Sequence, residues 1–182
     1  LLKLYRDSES PSEKEKLGAV IGLSSDVKVL AKVLDFSISK EVRVHDTPQI
    51  VSVVASNRKG RDMAWNFFKK NWALFMERYM AGNVLFNFIG SVTAAFNREE
   101  QARDVDKFFM RYPFLAGRTV RQCVDNINTN AAWLKRDENE ISQYFRYMMA
   151  AQHPHLFLQH YVEPLFLAHF IQQVGIFTSI LW

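Results

Sequence analysis

Cysteine is nearly missing from this chain of 182 residues: Cys123 stands alone, so no intrachain disulfide can form and no cysteine cluster can hold a metal. A reducing compartment suits that composition. Glycine (7) and proline (5) are scarce, and neither Gly-x-x-x-x-Gly-Lys nor Gly-x-Gly-x-x-Gly occurs, which excludes the phosphate cradles of nucleotide-dependent enzymes. The histidines are His45, His153, His155, His160 and His169, and none opens the His-Glu-x-x-His pattern that sets two zinc ligands on one helical face. His155 and His160 have no carboxylate between them and read as ordinary, partly buried imidazoles. Cys123 lies on the apolar face of its helix with no nucleophile signature around it, so it reads as an inert core thiol. No catalytic or metal-binding residue is therefore assigned. Leu1 to Arg6 is too short and too abruptly charged for a signal peptide, and the missing initiator Met points to a cropped fragment.

What is present describes a helical protein. Hydrophobic residues make up 48% and charged residues 23%, the balance of a globular domain. The formal net charge is +4, with basic residues in small groups: Arg58, Lys59 and Arg61, then Lys69 and Lys70, then Lys135 and Arg136. They read as solvated helix faces, because no base-stacking or groove-reading motif accompanies them; no nucleic-acid partner is expected.

Apolar residues recur every three to four positions. Ser12 with Glu15 forms a capping box and predicts a first helix to about Ile21. Ser25 or Asp26 starts a second, with Val27, Leu30, Ala31 and Leu34 on its buried face. Asp46 and Pro48 start a third, with Ile50, Val51, Val53 and Val54 inward. After a turn at Asn57–Gly60, one long helix is predicted with Ala64, Phe67, Phe68, Trp72, Phe75 and Tyr79 as its stripe. Another runs from about Asn83 to Phe96. Asn97 caps the next, which buries Ala102, Val105, Phe108, Phe109 and Tyr112; a loop from Tyr112 to Gly117 follows. A last pair begins near Thr119, with Val120, Cys123, Val124, Ile127, Ala131 and Leu134 on one face and Asp137 with Glu140 capping the partner helix. Pairs thus start near residues 12, 47, 83 and 118, the repeat of an all-α solenoid of stacked helical hairpins.

One stretch stands apart. No charged residue occurs from Gly82 to Asn97, which is unusual for a surface helix and predicts an inner position. Val84, Leu85, Phe88, Ile89 and Val92 supply its packed face. Asn83, Asn87, Ser91 and Ala94 form a small polar strip suited to a wet or ligand-bearing recess.

Three stretches together resemble a known family: Val33–Thr47, Ala64–Tyr79 and Arg118–Phe145. With Asp46-Thr47, Ala64-Trp65, Asn71-Trp72 and Asn130-Ala131-Ala132-Trp133-Leu134 in order, they are similar to the C-terminal helical (HEAT-like) domain of gluzincin zinc aminopeptidases of the puromycin-sensitive type. The resemblance implies a non-catalytic domain, residues 1–145, that is incomplete at its N-terminal side and closes over an active site carried elsewhere in a parent enzyme. Zinc and peptide hydrolysis belong to that parent; the implied partners are its catalytic domain and the peptide substrate, in the cytoplasm. Met80, Asn83 and Asn87 are the candidate peptide contacts. Residues 146–182 depart from the family as an apolar extension: an extra packed or interfacial helix, a membrane anchor within Leu165–Trp182, or non-native sequence. Outside the family, the alternative function is a free-standing α-solenoid scaffold for a protein partner.

Overall fold

The computed structural model describes residues 1–112 and 117–152. Its helices are α1 (Leu2–Asp7), α2 (Pro11–Ile21), α3 (Val27–Ser37), α4 (Thr47–Ser56), α5 (Arg61–Lys70), α6 (Trp72–Tyr79), α7 (Val84–Thr93), α8 (Glu99–Phe109) and α9 (Gly117–Gln152). No strand occurs among the described residues, and the fold is all-α. The chain divides into two units, Leu1–Ala132 and Trp133–Trp182. In the second unit, the described residues continue α9 with Trp133, Tyr144, Phe145 and Tyr147 exposed. The tail from residue 153 onward, with four of the histidines, and residues 113–116, where a loop was expected, lie outside the described residues.

Helix boundaries follow capping chemistry, and here several expectations are corrected. The first residues form α1, which the sequence pattern did not indicate; its Tyr5 is buried edge-on against Phe36 with ring centroids 5.2 Å apart. Helix α2 starts at Pro11 rather than after Ser12. Ser10 is its N-cap and accepts from the Glu13 amide at 3.4 Å, while Pro11 occupies the first position, where no amide is needed. Asp26 caps α3 as expected, accepting from the Lys28 amide at 2.8 Å. Val27 is nevertheless exposed and Ala31 half-buried; Leu30, Val33, Leu34 and Phe36 carry the packing, under α4 and α5.

Asp46 precedes α4 but makes no side-chain cap bond. Its buried carboxylate accepts from Arg43 at 2.6 and 3.1 Å, and Arg43 also donates to the Pro11 carbonyl. The predicted long helix over residues 61–79 is two helices. Asn71 breaks it at φ −100°, ψ 18°, with its side-chain amide donating to the Phe67 carbonyl at 2.9 Å, a local bond that competes with the helical ladder. Helix α7 ends at Thr93, short of Phe96, and Arg98 rather than Asn97 takes the N-cap position of α8; the Gln101 side-chain oxygen accepts the amides of both Asn97 and Arg98. Finally, α9 runs unbroken through Asp137, where a new helix was expected. From Arg118 to Gln152 there is neither Gly nor Pro to stop it, and the Asp137 carboxylate accepts from Arg136 at 2.8 Å instead of capping.

The core of the first unit is aromatic. Phe68 packs on Trp65, Trp72, Phe75 and Phe88, with ring centroids 5.0–5.6 Å apart. Such pairs add about 0.5–1.5 kcal/mol each beyond the area they bury. Helices α2 and α7 pack on α4, and α5 packs on α3, α4 and α7. Gly60 sits at a close approach, where a Cβ would stand 2.5 Å from the Val54 carbonyl oxygen. Helices α2, α4, α7 and α9 start at residues 11, 47, 84 and 117, which keeps the predicted spacing. Side-chain bonds between neighbouring segments follow the same interval: Asn57 donates to the Gly22 carbonyl, Lys69 to Asp104 and Asn130 to the Phe96 carbonyl across 34–35 residues.

Candidate functional site

Helix α7 is amphipathic in an unusual sense, having an apolar face and an uncharged polar one. Leu85, Phe88, Ile89 and Val92 are fully buried. Asn87, Gly90, Ser91 and Ala94 stand at i, i+3, i+4 and i+7 on the other side, so one line along the helix is small and polar. Opposite this line, Thr119, Gln122, Cys123, Asn126, Thr129 and Asn130 repeat at the same steps along the first turns of α9. Together with Phe86 and Thr93, these residues line an open groove of about 740 Å³, and not one of them is charged. Volumes of roughly 300–1,000 Å³ are those of ligand sites.

Several of the polar groups are already committed to backbone carbonyls. Ser91 Oγ donates to the Asn87 carbonyl at 2.9 Å, and Thr93 Oγ1 to the Ile89 carbonyl at 2.9 Å. Thr129 Oγ1 donates to the Asp125 carbonyl at 2.9 Å, and Asn130 Nδ2 to the Phe96 carbonyl at 3.0 Å, which ties α9 to the segment between α7 and α8. The carboxamides of Asn87, Gln122 and Asn126 are exposed in the groove. Burial pushes the Cys123 thiol pKa up, and a hydrogen bond with Thr93 offsets only part of the rise, so the sulfur stays protonated and unreactive at neutral pH.

Of the residues predicted to meet a peptide, Asn87 lies in this groove. Asn83 stands exposed at the N-cap position of α7 without a side-chain cap bond, and Met80 follows α6 at 57% exposure; neither lines the groove. The turn between them passes through Gly82 at φ +104°, a left-handed conformation that favours glycine. The α9 wall was not singled out from the sequence. Arg118, Arg121 and Asp125 interrupt its polar run, and only the helix geometry sorts these charges from the uncharged face. His45 is exposed beside Asp46, with Nε2 3.4 Å from the carboxylate. Among the described residues no three His, Cys, Asp or Glu side chains come together as a metal site, so no chemical step is assigned to a zinc ion here.

The residues that prompted the family resemblance have structural work to do. Thr47 Oγ1 donates to the Ser37 carbonyl at 2.7 Å, Trp65 Nε1 donates to Asp104 at 2.6 Å, Asn71 closes α5, and Asn130 joins α9 to Phe96. Burial raises the Asp104 carboxyl pKa, but the hydrogen bonds from Lys69 and Trp65 outweigh it and hold the pKa below its ordinary value.

Fold and groove together define an all-α domain that presents an uncharged polar recess. Within that class the chain belongs to the ERAP1-like C-terminal domain family, whose model matches residues 1–129. It is 32% identical over 149 residues to glutamyl aminopeptidase of Bos taurus, a match covering 79% of this chain and 15% of that protein. Aminopeptidase N of Canis lupus familiaris is 29% identical over 78% of this chain and 15% of its own length. The thyrotropin-releasing hormone-degrading ectoenzyme of Rattus norvegicus is 28% identical over 77% of this chain and 13% of its own. The chain thus spans about 15% of the length of the curated relatives it matches. No helix among the described residues is long and apolar enough to cross a membrane.

Proposed function

We propose that this chain is a non-catalytic, substrate-enclosing part of a zinc-dependent aminopeptidase that removes N-terminal residues from peptides. On this reading the metal, its bound water and the general base lie in the parent enzyme's catalytic domain. The chain contributes stacked, HEAT-like helical hairpins that wall the chamber and touch the distal part of the peptide. Asn87 meets that peptide in the α7–α9 groove, and Met80 and Asn83 meet it at the turn leading there. Residues 1–145 form the wall, with residues 146–182 as an extension. The observation that carries the reading is the groove itself: a charge-free, amide-bearing recess on a domain of an aminopeptidase family.

The test is made in the aminopeptidase that contains this chain. Asn87→Asp is expected to shift the relative rates on long peptides with basic and acidic distal residues by roughly tenfold, or about 1.4 kcal/mol. Hydrolysis of a single-aminoacyl reporter should stay unchanged. Equal responses of long and short substrates would remove the chamber role. The three sequence stretches also lead us to place the parent with the puromycin-sensitive type in the cytoplasm. Cell fractionation with an antibody to the chain checks this, and a pool at the cell surface, the setting named for the rat ectoenzyme, would overturn it.

A further inference from the structure

We infer that the α7–α9 groove grips the main chain of an extended, uncharged peptide stretch rather than its side chains. This inference rests on the substrate-wall reading above. A carboxamide offers one acceptor oxygen and two N–H donors, which complement the C=O and N–H of a peptide unit. The groove carries such groups on both walls: Asn87 on α7, and Gln122 and Asn126 on α9. Asn130 already donates to the Phe96 carbonyl, and Ser91 and Thr129 donate to carbonyls one turn back in their own helices.

Spacing favours the same occupant. Gln122 and Asn126 are four residues apart on a helix, a rise of about 6 Å. Along one edge of an extended chain, equivalent amide groups recur every two residues, about 6.7 Å. One α9 wall can therefore meet two successive same-edge peptide units, while Asn87 meets the opposite edge. Charge sets the selectivity. With no ionised side chain in the lining, a charged peptide residue placed there would lose water and gain no counter-ion, whereas neutral residues lose little.

The experiment uses the 182-residue chain and dye-labelled heptapeptides read by fluorescence anisotropy: one of alanine, serine and glutamine, one with central aspartates, one with central lysines, and a neutral one N-methylated at alternate amides. The neutral peptide should bind with an affinity that hardly changes from low to high salt, since no ion pair forms. N-methylation should weaken it about tenfold, and Gln122→Leu or Asn126→Leu several-fold, the size expected for one lost hydrogen bond. Ser56→Ala, on α4 and outside the groove, should leave binding unchanged. N-methylation needs no change in the protein, so that arm stands even if a variant fails to fold. Equal binding of methylated and unmethylated peptides, tighter and salt-sensitive binding of a charged peptide, or no binding by any of them would overturn main-chain recognition. If Asn87→Asp still separates long from short substrates in the parent enzyme while N-methylation is silent, this inference fails and the chamber role survives. If neither responds, both fall.

Discussion

The aromatic block of α5, α6 and α8 and the amide-lined groove of α7 and α9 lie in the same unit and obey opposite rules. In the block, large rings such as Phe68 and Phe75 are fully buried, so each side chain is fixed by its neighbours and none is available to a ligand. In the groove, Asn87, Gln122 and Asn126 face solvent. Helix α7 belongs to both, its Phe88 in the block and its Asn87 in the groove. A packed ring and a solvent-facing amide are thus separated by one residue step along a single helix. Substitutions should report on one or the other.

The largest effect is expected at Trp72, which is 4% exposed and packed against Phe68, Phe108, Phe109 and Tyr112. Trp72→Ala should cost about 3–5 kcal/mol in denaturant unfolding; an unchanged midpoint would break the contrast at its strongest point. Gly60→Ala comes next, since the added methyl would press on the Val54 carbonyl and side chain. A loss of about 1–3 kcal/mol is expected, and a neutral result would mean that α4 and α5 are not held so closely.

Asp104→Asn should cost about 0.5–1.5 kcal/mol by weakening the bonds from Trp65 and Lys69, toward the lower end because the carboxylate side chain is 45% exposed and water screens the pair. It also sharpens the comparison through pH. The folded-state pKa is lowered, so the carboxylate's contribution is complete above its ordinary value of 3.8 and is lost as pH falls through the lower, folded-state value. Acid melting curves of native chain and variant should therefore converge in that range; a constant gap between them would show that charge is not involved. The smallest effect belongs to the groove: Asn87→Ala should leave stability within about 0.5 kcal/mol. A thermal midpoint that falls as it does for Gly60→Ala would make Asn87 a packing residue and erase the distinction.

Much of this was legible before the fold. The Asp26 cap, the start of α4 at Asp46 and Pro48 and the stripe from Ala64 to Tyr79 follow local rules: the Lys28 amide bonds Asp26, α4 begins at Thr47, and the stripe is buried. The break at Asn71 escaped because the apolar period continues across it; what ends the helix is a side-chain amide competing for the Phe67 carbonyl, and periodicity carries no trace of that. Asp137 misled in the opposite direction. Its spacing to Glu140 fits a cap, yet a run without Gly or Pro keeps α9 helical and Arg136 takes the carboxylate. Half the groove was visible as the charge-free α7 strip. The other half depends on which face of α9 meets α7, a tertiary fact that no window of sequence contains.

The regular interval of the cross-helix bonds has a consequence for how such a domain can change length. Arg6 reaches Glu41, Asn57 reaches Gly22, Arg98 reaches Asp62 and Trp65 reaches Asp104, with separations of 35–39 residues. Each bond ties one helical segment to another about one 35-residue interval along, so an insertion between bonded pairs disturbs these joints less than one inside them. An insertion between the two partners of a bond would strand that bond. The turn at Asn57–Gly60, which none of these four bonds spans, is therefore the place where a change of length costs this network least.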